Sequence, residues 1–145
     1  MATLIVVNNS TDYYTNYFFV SHVMKMDTIF PASRVHYRSV GSPTIYHAGY
    51  VLIILLEAAM AFFCLKGSLQ MLKNLRKDSL TFHASKNWAV AGILVGILVW
   101  LVGFEVIGGE WFSMWQSATW NGVAAAERVL VFLFFALVLL HLKDE

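Results

Sequence analysis

Three long apolar segments dominate the pattern of hydrophobic and polar positions along the chain. They span residues 44–66, 88–107 and 123–142. A helix needs about 20 mostly apolar residues to cross the hydrocarbon core of a bilayer, and each segment meets that length. Both prolines, Pro31 and Pro43, precede the segments, so no proline interrupts a helix. The pattern predicts an all-α membrane helical bundle with three transmembrane helices.

The first part of the chain, residues 1–43, follows a different pattern. Its opening, MATLIVVNN, has only six apolar residues before two asparagines, which is too short to cross a membrane. We expect the last turns of a helix there, or a short segment packed on its neighbours. Further along, Thr15 is a suitable N-cap and apolar residues recur at helical spacing, which predicts an interfacial helix over residues 15–27.

Residues 108–122, GGEWFSMWQSATWNG, contain three tryptophans within ten residues: Trp111, Trp115 and Trp120. Trp111 and Trp115 are four residues apart, a spacing that places both on one face of a helix. Indole rings favour the headgroup level of a bilayer. We therefore predict a short interfacial helix, which with the helix at residues 15–27 forms an aromatic lid. The tryptophans could be membrane anchors or a docking surface for a partner subunit.

Composition supports the membrane interpretation. The chain of 145 residues is 59% hydrophobic and 13% charged, whereas an ordinary soluble domain is about 25% charged. A net charge of +1 gives no basis for binding nucleic acid. The single cysteine excludes an internal disulfide.

The distribution of basic residues predicts the orientation in the membrane. Five basic residues lie in the loop at residues 66–86, against one acid, whereas residues 108–122 have no Lys or Arg. Basic loops stay on the cytoplasmic side. We expect this loop on the cytoplasmic or matrix side of a bacterial or mitochondrial inner membrane, and the tryptophans on the opposite side.

Three stretches are similar to the hallmark segments of a family of small bacterial integral membrane proteins of unknown function. They are TDYYTNYFFVSHVMKMDTIFP, SPTIYHAGYVLIILLE and IGGEWFSMWQSATWNG. The resemblance implies a membrane bundle in which a full hydrophobic helix precedes the Asp-Tyr segment. Here only MATLIVV corresponds to it, so we expect a truncated first helix or a partner helix in its place. The resemblance implies no activity.

Ionisable residues inside the apolar segments need a physical reason, because a charge at the bilayer centre costs at least about 2.5 kcal/mol. His47, Glu57 and Glu127 could form a path for protons or cations. Alternatively, Arg128 could form an interhelical ion pair with Glu105 or Glu57, or these groups could bind a partner subunit.

Small residues recur on one face of the second segment: Ala89, Gly92, Gly96 and Gly103. Such faces let helix backbones approach closely. The contact could lie inside this bundle or against a helix of another protein.

The sequence shows no arrangement typical of an enzyme, a metal site or a bound cofactor. We therefore expect a non-catalytic accessory or scaffold subunit of a larger membrane complex, plausibly of a respiratory chain. Its expected partners are other membrane subunits and lipids, in a hetero-oligomer. The alternatives are a haem- or quinone-binding anchor of a redox enzyme and a small homo-oligomeric channel or transporter that uses Glu57.

Overall fold

The computed structural model describes residues 1–142, and these residues form helices and connecting loops without a β-strand. The helices are α1 (Ala2–Thr11), α2 (Tyr13–Lys25), α3 (Pro43–Asn74), α4 (Ser79–Ala84), α5 and α6 (Val123–His141). Helix α5 is α-helical over Asn87–Ile97 and continues as a π-helix over Leu98–Trp111. Single 3-10 turns lie at His36–Arg38 and Met114–Gln116.

Three helical stretches are long and apolar enough to cross a membrane, which confirms the predicted fold class. They are Pro43–Asn74, Ser79–Trp111 and Val123–His141. Helix α3 continues past the predicted end at residue 66 because its last turns contain strong helix formers such as Leu, Lys, Gln and Met. We call the end of the bundle near α4 the basic end and the end near the tryptophans the aromatic end.

The N-terminal residues form two helices with different positions. Helix α1 packs along α3 in the antiparallel direction, since Ala2 lies near Met60 and Asn9 contacts Glu57. Asp12 has non-helical backbone angles and separates α1 from α2. Helix α2 lies across the aromatic end, where Phe19 packs against Phe104 of α5. Both N-terminal segments are therefore helical, although α2 begins and ends two residues earlier than expected and has Asp12 rather than Thr15 at its N-cap position.

Helices α3 and α5 meet through small residues toward the basic end. A Cβ atom added to Gly92 would lie 2.8 Å from the backbone nitrogen of Cys64, and one added to Gly67 would lie 2.3 Å from that of Ala89. Gly96 likewise lies against Met60. The small-residue face is therefore used inside this chain. Gly103 is the exception, because a Cβ atom there would meet nothing within 4 Å.

The structure corrects the prediction of a short interfacial helix in residues 108–122. The π-helix carries the second span through to Trp111, and Ser113 then takes a left-handed backbone conformation with φ of 53°. This reversal lets Phe112 and Met114 pack into the buried core of the lid with Val23 of α2. Trp111 and Trp115 therefore do not share a helical face.

Candidate functional site

Glu57 lies deep in the bundle and has a partner from the same chain. It is about 21 Å along α3 from Pro43, and only 2% of its surface is exposed. Asn9 of α1 donates a hydrogen bond of 2.6 Å from Nδ2 to Glu57 Oε2. A buried carboxyl group needs such a donor, and α1 supplies it because its antiparallel packing brings the end of the MATLIVVNN run beside the middle of α3.

Further polar contacts connect this site with the aromatic end. The hydroxyl of Tyr50 donates to the backbone oxygen of Asn9 at 2.9 Å. The hydroxyl of Tyr13 lies 2.8 Å from Nδ1 of His47, and the rings of Tyr13 and Tyr50 are 4.8 Å apart. We call Asn9, Tyr13, His47, Tyr50 and Glu57 the Glu57 network. It joins α1, α2 and α3 into one unit.

The network includes two of the residues selected from the sequence and omits a third. His47 and Glu57 both take part, as their shared region of α3 suggests. Glu127 does not, because it lies on α6 with its side chain exposed. Asn9 was missed, although an amide directly after an apolar run was a signal that it could face the membrane interior.

The predicted pairing of Arg128 with Glu57 or Glu105 is wrong. Among residues 1–142 the only close contact between a basic and an acidic side chain is the one from His22 Nδ1 to Asp27 Oδ2, at 2.7 Å. Arg128 faces outward because Ala126 and Leu130 occupy the buried side of α6. Within the described part of the chain, one carboxylate oxygen of Glu105 is buried without a hydrogen-bond partner.

The three tryptophans of the aromatic lid have different surroundings. Trp120 is half-buried and stacks on His22, with ring centroids 4.5 Å apart and planes within 3°. Trp111 and Trp115 are 53% and 52% exposed. The Arg38 guanidinium lies 4.9 Å from the centroid of the Trp111 ring, and the ring of Phe30 packs nearly at right angles to that of Trp115. Trp120 therefore holds the lid together, whereas Trp111 and Trp115 form its surface.

Two hydrogen bonds also connect the two parts of the lid. Thr28 and Ser117 share one through their hydroxyl groups at 2.7 Å, and the backbone N–H of Phe30 donates to the Gln116 side chain at 3.2 Å. These contacts fix the loop after α2 to the loop after α5.

Replacing Trp120 should destabilise the protein more than replacing Trp115. We expect Trp120→Ala to lower the free energy of unfolding by about 1–3 kcal/mol, below the roughly 3–5 kcal/mol of a fully buried tryptophan. Trp115→Ala should change it by about 0.5 kcal/mol or less, as is usual at exposed positions. Urea unfolding in detergent micelles measures both values. Equal losses would show that Trp120 has no special role in the lid.

The described residues show no arrangement suited to a metal ion. No group of three or more His, Cys, Asp or Glu side chains within residues 1–142 is placed to hold one. The site that the structure does contain is a hydrogen-bonded polar network between helices.

Together, the three apolar spans, the lid and the internal network define an integral membrane protein of the polytopic α-helical class. The family model described as "Predicted small integral membrane protein (DUF2165)" matches residues 1–143. The chain belongs to this family, as the three hallmark stretches indicated. No curated protein and no solved structure matches the chain.

Proposed function

We propose that this protein is a non-catalytic accessory subunit that packs α6 against a transmembrane helix of another membrane protein. The observation that carries the proposal is Arg128, a charged side chain on an exposed face of an apolar helix. Exposed residues continue along this face with alternating spacings of four and three. We call them the α6 stripe: Ala124, Arg128, Val131, Phe135 and Val138. This is the spacing of helices that pack in parallel or antiparallel pairs.

The charge of Arg128 indicates what kind of partner fits the stripe. Arg128 lies about 8 Å along the axis from the first residue of α6, and charges within a membrane normally pair with one another. It has no ion pair with any residue from 1 to 142. A partner helix with a carboxylate at the same depth would neutralise it. Ala124, one turn away, would let the two backbones approach.

The internal polar groups support a structural rather than a catalytic or transport role. Glu57 is buried against Asn9 of the same chain and is not exposed on an outer face. Gly92 and Gly96 already pack against α3, whereas Arg128 on α6 faces outward and has no ion pair among residues 1–142. Membership of a respiratory complex stays a prediction.

Purification from native membranes tests this proposal. A tagged wild-type chain should elute with a second membrane protein at fixed stoichiometry. Arg128→Leu should lose that partner while its circular dichroism and thermal midpoint stay unchanged. Arg128→Lys keeps the charge and should retain most of the complex. A complex that contains only copies of this chain, or a partner that remains with Arg128→Leu, would contradict the proposal.

We also propose that the basic end faces the cytoplasm or matrix, as the positive-inside rule indicates. In a Cys64→Ala background, cysteines at Ser79 and Ala118 report on the two ends, since both positions are exposed. An impermeant maleimide added to right-side-out vesicles should label Ala118→Cys and leave Ser79→Cys unlabelled until the membrane is opened. The reverse pattern would mean an inverted orientation.

A further inference from the structure

An apolar cavity of about 340 Å³ lies between α3 and α5 at the aromatic end, beneath α2. This volume is at the lower end of the roughly 300–1,000 Å³ that ligand sites occupy. Every side chain that lines it is apolar, and α2, α3 and α5 each supply part of the wall: Phe19, Val23, Leu52, Leu56, Val102 and Phe104. None of the described lining residues belongs to α6, so the cavity is separate from the α6 stripe.

The cavity exists because α3 and α5 separate toward the aromatic end. Toward the basic end, Gly92 and Gly96 hold the two helices in contact. Above them α5 becomes a π-helix at Leu98, and Gly103 on this part lines the cavity with open space where a side chain would extend. Gly49 faces it from α3, with only the Met24 sulfur, at 3.8 Å, within reach of an added Cβ atom.

The apolar walls decide what can fill this space. An apolar cavity does not hold water, because water needs polar partners, and an empty one forfeits dispersion contacts. The cavity lies between two membrane-spanning helices and is partly open. A hydrocarbon chain is the ligand that matches both the lining and the location.

Two cations lie on segments that adjoin the wall of the cavity at the aromatic end. Lys25 follows Met24, which lines the cavity, and Arg38 donates to the backbone oxygens of Glu110 and Trp111, one turn beyond lining residue Ile107. The two segments are joined by a hydrogen bond of 2.9 Å from Val40 N to Met24 O. Neither cation has an ion pair within residues 1–142. Arg and Lys are the side chains that bind phosphate groups.

We propose that this cavity binds one acyl chain of an anionic phospholipid, whose phosphate group lies between Lys25 and Arg38. The ligand is a lipid of the leaflet at the aromatic end. It fills the gap between α3 and α5 and completes the contact that the glycines make nearer the basic end.

Native mass spectrometry of the full chain, released from membranes in mild detergent, tests the site. Wild-type protein should retain a phospholipid, and added palmitoyl-oleoyl phosphatidylglycerol should bind better than the phosphatidylcholine with the same chains. Gly103→Phe places a ring in the cavity and should remove the bound lipid. Leu101→Phe places the same ring on the exposed side of α5 and should leave binding unchanged.

Substitutions of the two cations test the proposed contact with the phosphate group. Replacing Lys25 and Arg38 together by Gln should reduce the preference for phosphatidylglycerol by about 25-fold, since each basic residue near a membrane surface contributes a factor of about five. Arg34→Gln, a nearby exposed cation, is the control and should not change the preference.

A crosslinking measurement on unmodified protein covers the case in which Gly103→Phe does not fold. Phosphatidylglycerol with a diazirine in its acyl chain should label Leu56 and Val99, which line the cavity and are not exposed on the outer faces of their helices. Labelling confined to the exposed faces of α3 and α5 would overturn the proposal. So would lipid retention by folded Gly103→Phe, or retention of an uncharged isoprenoid in place of phospholipid.

Discussion

Gly92→Leu should lower the free energy of unfolding by about 3 kcal/mol or more, the upper range for overpacking a close contact. The new Cβ atom would meet the backbone nitrogen of Cys64 at 2.8 Å, and a backbone atom cannot move aside as a flexible side chain does. Helices α3 and α5 would have to separate along the contact that also includes Gly67 and Gly96. Urea unfolding in micelles, followed by circular dichroism, measures the loss.

Gly103→Leu is the matched control, since it makes the same replacement on the same helix. Its side chain would extend into the open cavity, where an added Cβ atom has no neighbour within 4 Å. We expect no loss of stability, and up to about 1 kcal/mol of gain from replacing a glycine inside a helix. If both variants lost the same stability, the α3–α5 contact would not lie where the structure places it.

Asn9→Leu should also lower the free energy of unfolding, by about 1–3 kcal/mol. It removes the side-chain donor that lies 2.6 Å from Glu57 and leaves a buried carboxyl group unsatisfied. Because Asn9 also orients α1, hydrogen exchange at α1 amides should accelerate. The thermal midpoint in detergent and exchange measured by mass spectrometry give the two readouts.

A double-mutant cycle measures the interaction free energy between Asn9 and Glu57 apart from their other contacts. Glu57→Gln keeps an acceptor for Asn9 and should change stability little. Glu57→Leu alone completes the cycle, and the double change Asn9→Leu with Glu57→Leu removes both polar groups, which often restores stability when an apolar pair fits the space. A double variant as unstable as the sum of the single ones would mean that Asn9 and Glu57 act independently.

The sequence predicted the membrane spans well because their signal is local. Twenty consecutive apolar residues are visible without any knowledge of neighbours, and so is the helical spacing of Phe19 and Val23 in α2. The short helix α1 was also recognisable from MATLIVVNN.

Contacts between residues that are far apart in the sequence were harder to predict. Three acids and one arginine suggested an ion pair, but the partner of Glu57 is the neutral Asn9, 48 positions away. Helical periodicity placed Arg128 on a face of α6 without showing which face is buried. Trp111 and Trp115 had helical spacing, yet the reversal at Ser113 follows from burying Phe112 and Met114, a tertiary requirement.

The central claim is that α6 binds another subunit through the stripe that contains Arg128. Photo-crosslinking in native membranes tests it most directly, with a crosslinking amino acid at Phe135 on the stripe and, as a control, at Leu52 on α3. Position 135 should give a discrete protein adduct that disappears in Arg128→Leu and persists in Arg128→Lys, whereas position 52 should give lipid adducts. Lipid adducts alone at position 135, or a protein adduct that persists in Arg128→Leu, would contradict the claim.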